Sequence, residues 1–153
     1  MKYLAAILGV IATAGIGSCL TNQGLDWYLN QSIVPSFAPS GAVIGGVWTV
    51  IYALSAVALI LWLSQKKRDA NYPRVVWWFV INGFLNAYWS YLFFAQHQVE
   101  WAIAEMIGLE ISVLVLIWLM WKQRRWSAIL LLPYAAWVAF ATYLAYSFWI
   151  LNK

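Results

Sequence analysis

Residues 42–64 read AVIGGVWTVIYALSAVALILWLS, and this stretch contains no charged side chain. A helix needs about 20 predominantly apolar residues to cross the hydrocarbon core of a bilayer. The stretch is long enough, and it lacks the strict alternation of polar and apolar residues that a transmembrane β-strand shows. It therefore predicts a membrane-spanning helix.

The composition of the whole chain also indicates a membrane environment. Of its 153 residues, 65% are apolar and only 9% are charged, and the mean hydropathy is +0.74. Soluble domains average roughly 45–50% apolar and about 25% charged residues, so this chain has too few polar side chains for a water-facing surface. Because backbone polar groups need internal partners in lipid, we predict an all-α integral membrane protein.

Five segments have the length and apolar character of transmembrane helices, which predicts one five-helix membrane domain over residues 1–153. The only long connection, residues 21–41, contains Gly24, Pro35 and Pro39. We predict irregular backbone there, with at most a short turn of helix, forming a lid over one end of the bundle. The predicted spans are residues 3–20, 42–64, 75–94, 101–121 and 126–151.

The positive residues are unevenly divided between the two sides of this predicted bundle. Eight of the nine Lys and Arg residues fall on the side of the N-terminus, and Lys153 alone falls on the other. The positive-inside rule therefore predicts a bacterial cell membrane protein with a cytoplasmic N-terminus and an outer 21–41 loop. The eight residues are Lys2, Lys66, Lys67, Arg68, Arg74, Lys122, Arg124 and Arg125.

The net charge of +4 and the single Cys and His argue against several function classes. The basic residues form short interhelical clusters suited to membrane lipid phosphates, so nucleic-acid binding is not expected. Cys19 has no partner for an internal disulfide and His97 is the only histidine, so neither a metal site nor a resident cofactor is expected.

The first span has two interpretations. Lys2 and an apolar run ending at Cys19 resemble a signal peptide with a lipid-modified cysteine. Alternatively, Gly9, Thr13 and Gly17 form a stripe of small residues on an ordinary span, which allows close helix packing and predicts a homodimer. Further small-residue pairs at this spacing are Gly41 with Gly45 and Gly83 with Ala87.

Many of the 12 tryptophans lie near the ends of predicted spans. Indole rings prefer the headgroup region, where an apolar ring and a polar N–H are both accommodated. We therefore expect an interfacial belt made of Trp62, Trp77, Trp78, Trp101, Trp118, Trp121, Trp126 and Trp149.

Polar side chains within the spans define a candidate site, because such groups are costly in hydrocarbon and point into the bundle. On each of three spans these polar and neighbouring aromatic residues lie on one helical face, mostly in the outer half of the predicted bundle. This pattern predicts an aromatic-walled pocket under the loop, and ordinary helix packing explains it equally well. The residues are Trp48, Tyr52 and Ser55, then Asn82, Asn86, Trp89, Ser90 and Phe93, and finally Pro133, Trp137 and Ala141.

Glu105 and Glu110 in the fourth span face different neighbours, because five residues turn a helix by about 140°. Glu105 lies toward the outer side and is a candidate for the pocket. Either carboxylate is also a candidate for proton coupling, as in small drug exporters. The sequence shows no nucleophile–base pair, and His97 is expected to be solvated in a short polar turn.

Several motifs spread along the chain form a recognisable set. In the first half they are Trp27-Tyr28, Pro35-Ser36-Phe37-Ala38-Pro39 and Val47-Trp48-Thr49 with Tyr52. In the second half, Asn86-Ala87-Tyr88-Trp89-Ser90 with Phe93-Phe94 fits N-x-x-W-S-x-x-F-F, and Leu132-Pro133-Tyr134 with Trp137, Phe140-Ala141 and Leu144 fits P-Y-x-x-W-x-x-F-A-x-x-L. Over essentially the whole chain, these motifs resemble those of the TspO/translocator protein family, also called the tryptophan-rich sensory protein or peripheral-type benzodiazepine receptor family.

The resemblance implies a dimeric five-helix membrane protein that binds porphyrins, sterols and isoquinoline or benzodiazepine-type ligands. A porphyrin would be a ligand and not a permanent cofactor. The matching positions would form the pocket and the lid. The pocket would contain Ile44, Trp48, Tyr52, Asn86, Trp89, Ser90, Phe93, Glu105, Met106, Trp137 and Ala141, and the lid loop Trp27, Pro35, Phe37 and Pro39.

The chain departs from the family pattern at a few positions. Val34 stands where a lysine is frequent, Ser40 where a second proline is common, and Ala145 where an asparagine often occurs. The strict cholesterol pattern also fails, because Tyr146 lies seven positions before Lys153. Porphyrin is therefore the better supported ligand class.

Three functional classes remain open. A receptor or carrier needs only a pocket and a movable lid. A transporter requires alternating access, for which the sequence shows neither an inverted repeat nor an obvious broken helix. A light-dependent porphyrin-degrading enzyme would depend on Trp48 and Trp137 beside the macrocycle, reacting through indole radicals.

Overall fold

The computed structural model describes residues 1–65 and 71–153, and every regular element in these ranges is helical. The all-α class is therefore confirmed. The predicted basic cluster Lys66-Lys67-Arg68 lies outside the described residues. The helices are α1 Lys2–Asn30, α2 Gly41–Leu63, α3 Asn71–Ser90, α4 Val99–Trp121, α5 Arg125–Ile129 and α6 Leu132–Asn152, with a π-helical turn Tyr91–Ala95 after α3.

Four segments in the described part of the chain are long and apolar enough to cross a membrane. They are Lys2–Asn30, Gly41–Leu63, Val99–Trp121 and Arg125–Asn152, the last of which joins α5 and α6. Their outward faces carry large exposed apolar side chains, such as Ile11 and Trp118. A lipid environment is what makes such a surface stable, so the molecule is a membrane protein. α3 is of similar length but less apolar than α2, α4 or α6.

The first helix is longer than predicted. The predicted span ended at residue 20 and the predicted loop covered residues 21–41, whereas α1 continues to Asn30 and the loop contains only residues 31–40. The boundary was wrong because no proline interrupts residues 21–30. In addition, Asn30 Nδ2 and Gln31 Nε2 donate hydrogen bonds to the Asp26 carboxylate at 2.7 and 2.8 Å, which supports the last turns.

Gly24 marks the closest approach of α1 to the π turn. A Cβ atom at this position would collide with the backbone carbonyl of Phe94, so only glycine allows this contact. Further along the same face, a Cβ on Gly83 of α3 would lie 2.9 Å from Thr13 Oγ1. The predicted small-residue stripe of α1 is therefore used, at least in part, for packing within the chain.

The fifth predicted span, residues 126–151, is interrupted near its start. α5 ends at Ile129, and α6 begins at Leu132 with Pro133 in its first turn. Proline has no backbone N–H and disfavours helical geometry in the residue before it, so the chain starts a new helix here. The predicted span itself is supported, because Arg125–Asn152 is long and apolar enough to cross a membrane despite this break.

The helices form a closed ring. α3 packs between α1 and α4, α4 also packs against α5 and α6, and α2 packs against α1 and α5. In the described chain, the backbones of α2 and α6 do not approach each other as closely as these pairs. The helices are thus close together where α5 meets α2, and we call this the α5 end of the bundle. They are farther apart at the opposite end, near residues 31–40, which we call the loop end.

Several residues of the core are completely buried at the α5 end. Trp62, Val75, Met120, Ala128 and Leu131 are all 0% exposed. The prediction that Trp62 faces the membrane interface was therefore wrong: the indole stacks on the Tyr72 ring of α3, with ring centroids 6.4 Å apart, and is buried in the core. Other tryptophans of the predicted belt are indeed exposed, namely Trp77, Trp101, Trp118, Trp121 and Trp126.

Candidate functional site

A chain of hydrogen bonds crosses the middle of the bundle and joins α2, α3 and α6. Tyr52 Oη donates to Asn86 Oδ1 at 2.6 Å, and Asn86 Nδ2 donates to Tyr134 Oη at 3.0 Å. Tyr134 Oη donates in turn to Asn82 Oδ1 at 3.1 Å. Asn82, Asn86 and Tyr134 are buried, so these bonds satisfy polar groups that lipid could not.

The chain of hydrogen bonds continues into α4. Asn82 Nδ2 donates to Ser112 Oγ at 2.8 Å, and Ser112 Oγ donates to the carbonyl oxygen of Leu109 at 2.7 Å. Every bond runs in the same direction from donor to acceptor, starting at Tyr52. The chain links four helices and forms a polar floor beneath the loop end of the bundle.

Aromatic side chains extend from this floor toward the loop end. On α2, Trp48 lies one turn before Tyr52 and stacks on it, with ring centroids 5.5 Å apart. The Trp48 ring also meets the Tyr134 ring edge-on at 5.9 Å, which bridges α2 and α6. On α6, Trp137 and Ala141 follow Tyr134 at intervals of about one turn. Two rows of predicted site residues therefore face each other from α2 and α6, and Ile44 extends the α2 row by one more turn.

The predicted residues of α3 and the π turn lie toward the same end. Trp89 is half-buried and stacks on Phe93 with ring centroids 5.3 Å apart. Phe93 is only 3% exposed and contacts the rings of Tyr28 and Phe148. Ser90 is also buried. Phe93 and Ser90 therefore belong to the packed wall of the site, and Trp89 is the half-buried residue of this group.

Two indole nitrogens in this region are without a hydrogen-bond partner. Nε1 of Trp89 and Nε1 of Trp137 are both buried, and neither has an acceptor within the described residues. Buried tryptophan N–H groups normally find an acceptor. These two donors are therefore the groups that a carbonyl or carboxylate of a ligand would satisfy.

The loop of residues 31–40 is attached to the C-terminal half of α6. The backbone N–H of Ile33 donates to Asn152 Oδ1 at 2.7 Å, and Asn152 Nδ2 donates to the carbonyl oxygen of Ile33 at 2.9 Å. The Phe37 ring stacks on the Tyr143 ring at 5.4 Å. The loop is thus held beside the rows of site residues by a small number of contacts.

The four predicted lid residues are divided between this loop and α1. Pro35, Phe37 and Pro39 lie in the loop. Trp27 does not, because α1 extends to Asn30. The Trp27 indole instead stacks on the exposed His97 imidazole, with ring centroids 4.1 Å apart, and meets Phe148 edge-on. It therefore fastens the end of α1 to the turn before α4.

The predicted site residues of α4 are placed differently from the others. Met106 is 2% exposed and belongs to the packed core. Glu105 lies in the wall of a groove between α3 and α4, together with Tyr88 and Trp101. Direct contacts thus join Trp48, Tyr52 and Asn86 through Tyr134, while Glu105 contributes to a groove whose other lining residues were not predicted.

Tyr134 is the central site residue missing from the predicted pocket. It accepts a hydrogen bond from one asparagine and donates one to another, and it contacts the Trp48 ring. Its sequence signal was its place three residues before Trp137, on the same helical face. That spacing was sufficient to include it.

The chemistry of the site suits the binding of a flat ligand. Within residues 1–65 and 71–153, no group of three His, Cys, Asp or Glu side chains could hold a metal ion. The site instead offers aromatic faces, a hydrogen-bonded polar floor and two N–H donors that have no partner in the described chain. A largely apolar, planar molecule with a peripheral acceptor group matches these features.

Comparison with known proteins finds relatives along nearly the whole chain. The model of the TspO/MBR family matches residues 5–150. The "Tryptophan-rich protein TspO" of Archaeoglobus fulgidus is 31% identical over 153 residues, covering 99% of this chain and 97% of the relative. The protein of the same name from Bacillus cereus is 33% identical over 138 residues, covering 90% and 88%. The human "Translocator protein" is 29% identical over 130 residues, covering 83% and 75%. These matches confirm the resemblance carried by the sequence motifs.

Proposed function

The chain belongs to the TspO/MBR family, and from this premise we propose that it is a membrane receptor or carrier that binds a porphyrin between α2, α3 and α6. The observation that carries the proposal is the pair of buried indole N–H groups of Trp89 and Trp137, which lack acceptors in the described chain. They lie on the loop side of the polar floor, where a bound ligand would meet them.

In the proposed binding mode, aromatic rings stack on the ligand and indole N–H groups donate hydrogen bonds to it. Trp48 and Trp137 stand on opposite helices, so their indoles would contact the two faces of a macrocycle by stacking. A propionate of the porphyrin would accept hydrogen bonds from the free N–H groups, since charge-assisted bonds of this kind are strong in a low-dielectric site. Tyr52 and Asn86 would fix the depth of the ligand, because they form the floor below it.

The proposed topology has five membrane crossings, with α3 and its π turn as the third. Lys2, Lys122, Arg124 and Arg125 would lie on the cytoplasmic side of a bacterial cell membrane, because positive residues are retained there. The loop of residues 31–40 would then face outward and act as a lid. Its few contacts with α6 would break when a ligand enters.

We further propose that the protein forms a homodimer. Within the described chain, a Cβ atom on Gly9, Gly41 or Gly45 would have no neighbouring atom within 4 Å. These small residues are therefore free to allow a close approach by a second copy. A dimeric mass in lipid nanodiscs would support this assembly, and a purely monomeric mass would contradict it.

The decisive experiment is a titration of protoporphyrin IX into the protein in lipid nanodiscs, in the dark, with the Soret absorbance as the signal. We expect saturable binding that empty nanodiscs do not show. Trp137→Phe keeps an aromatic face but removes the N–H donor, so affinity should fall by about tenfold or more, as for loss of a hydrogen bond to a charged group. Trp48→Phe makes the same change of ring at a stacking residue whose N–H is not a buried unpartnered donor, so affinity should fall less than in Trp137→Phe.

Illumination of the same samples separates binding from catalysis. A stable Soret spectrum supports a receptor or carrier. Conversion to a new chromophore that requires Trp48 or Trp137 would instead support a porphyrin-degrading enzyme. Competition by an isoquinoline ligand or by a sterol would show that these classes use the same site. Failure of the porphyrin to bind at all would refute the proposed ligand.

A further inference from the structure

A second site lies outside the one described above, on the lipid-facing side of α3 and α4. It is a groove of about 490 Å³ whose walls include Phe84, Tyr88 and Trp101. Phe84 is 65% exposed and Trp101 is 68% exposed, so the groove is open to the membrane. It shares no lining residue with the two rows of α2 and α6.

The π turn helps to shape this groove. Leu92 lies in the π turn and lines the groove, and its carbonyl oxygen accepts a hydrogen bond from the backbone N–H of Gln98 at 2.9 Å. Gln98 also lines the groove, just before the start of α4. Single π turns inside helices occur frequently at functional sites, because the extra residue changes the direction of the side chains around it.

Glu105 is the anomalous residue of the groove. The helical rise per residue places it about 9 Å along α4 from Val99, the first residue of that helix. It lines the groove, and both of its carboxyl oxygens are buried without a hydrogen-bond donor in the described chain. A carboxyl group in hydrocarbon is costly unless it is paired. Among the described residues, Glu105 is the acid whose two carboxyl oxygens are both buried and unpartnered, and it lines a groove, so a ligand in that groove is the partner that can reach it.

The combination of a carboxylate with aromatic walls determines the class of ligand. Aromatic faces attract organic cations through the ring quadrupole, and a nearby carboxylate supplies the opposite charge. An acyl chain would fill the groove and leave Glu105 unpaired, and a neutral sterol would offer it one hydroxyl donor but no opposite charge. We infer that the groove between α3 and α4 is a binding site for a lipophilic organic ammonium ion, which enters from the membrane and pairs its N–H group with Glu105.

The test uses 1-adamantylammonium as a compact cationic probe and 1-adamantanol as its neutral counterpart of similar shape. Binding is measured at neutral pH by isothermal titration calorimetry in phosphatidylcholine nanodiscs, with empty nanodiscs as the reference. We expect saturable binding of the ammonium and at least about tenfold weaker binding of the alcohol, because the alcohol carries no charge for Glu105.

Three variants test whether the ammonium ion binds in the groove beside Glu105. Glu105→Gln should weaken binding of the ammonium by about tenfold or more, since it removes the charge and keeps the shape. Glu110→Gln is the matched control, because it makes the same change on the same helix at a position that faces another side. Trp101→Leu removes an exposed wall of the groove and should weaken binding by about threefold to tenfold.

Three results would overturn the inference: equal binding of the alcohol, unchanged binding to Glu105→Gln, or an equal loss in Glu110→Gln. Trp101→Leu guards against misfolding as the cause of a loss, because its side chain is outside the packed core. Porphyrin titration of Trp101→Leu should match that of the unmodified protein, which separates this groove from the proposed porphyrin site.

Discussion

At the α5 end of the bundle the large side chains of Trp62, Met120 and Leu131 are completely buried, whereas at the loop end Trp48 and Trp137 are only half-buried. The two ends also differ in their helix contacts. α2 packs closely on α5 at one end, and at the other end it faces α6 mainly through side chains such as Trp48 and Tyr134.

The difference indicates a division of roles between the two ends. Close packing at the α5 end supplies much of the stability, because interior van der Waals contacts hold membrane helices together. The loop end leaves the N–H groups of Trp89 and Trp137 without acceptors in the described residues. A protein tolerates such unmet groups where a ligand binds, provided that another region keeps the helices in place.

The largest expected effect is a loss of stability from Trp62→Ala. The indole is 0% exposed and its Nε1 donates to the carbonyl oxygen of Tyr72 at 3.4 Å. Removing it leaves a cavity, and we expect a loss of about 3 kcal/mol in unfolding free energy, measured by titration with sodium dodecyl sulfate. Trp77→Ala is the control, because Trp77 is exposed to lipid, and it should change stability little. A comparable loss of unfolding free energy in both variants would show that packing at the α5 end does not contribute more to stability than an exposed position does.

Tyr134→Phe tests the polar floor between the two ends. It removes one hydroxyl and leaves Asn86 Nδ2 and Asn82 Oδ1 each without this partner. We expect a loss of about 1–3 kcal/mol in unfolding free energy, because buried polar groups without partners are costly. Tyr143→Phe makes the same change on the same helix, where the ring is 60% exposed, and should have almost no effect. Equal stability of the two variants would contradict a structural role for the floor.

The sequence predicted the helices best where apolar runs are uninterrupted. Spans predicted at 42–64 and 101–121 are observed as Gly41–Leu63 and Val99–Trp121. The end of α1 was predicted ten residues too early, because the polar residues after position 20 resemble a loop in composition although nothing in their backbone chemistry ends the helix. Hydropathy locates the membrane, but a helix can continue beyond the apolar part of its sequence.

The site was predictable to the extent that it depends on helical faces. Trp48, Tyr52, Asn86 and Trp137 were grouped by spacing, and direct contacts join the first three of them, while their role in ligand binding stays a prediction. The groove beside Glu105 was not predictable, because its walls come from two helices and a π turn whose relative positions spacing does not determine. Burial of Trp62 was missed for the same reason, since it depends on contacts with another helix, such as the stack on Tyr72 of α3.

Trp137→Ala tests the proposed role of the loop end in ligand binding. We expect porphyrin affinity to fall by about 1–3 kcal/mol through lost stacking and burial. Stability should fall less than in Trp62→Ala, because Trp137 is only half-buried. Soret titration gives the affinity, and Trp126→Ala, which changes an exposed indole near the α5 end, is the control. Unchanged affinity in folded Trp137→Ala would remove this residue from the site.

The smallest expected effect concerns the attachment of the loop. Asn152→Ala removes both hydrogen bonds between α6 and Ile33, while the stack of Phe37 on Tyr143 remains. Loss of about 1 kcal/mol of attachment should speed porphyrin dissociation about fivefold and increase hydrogen exchange in residues 31–40. Stopped-flow dissociation and mass-spectrometric exchange measure the two effects. Ser147→Ala is the control, because the Ser147 hydroxyl bonds only within α6, to the carbonyl oxygen of Tyr143 at 2.9 Å. If hydrogen exchange rises in residues 31–40 while porphyrin dissociation stays unchanged, the loop moves but does not control access to the site. Access at the loop end must then depend on the distance between α2 and α6 alone.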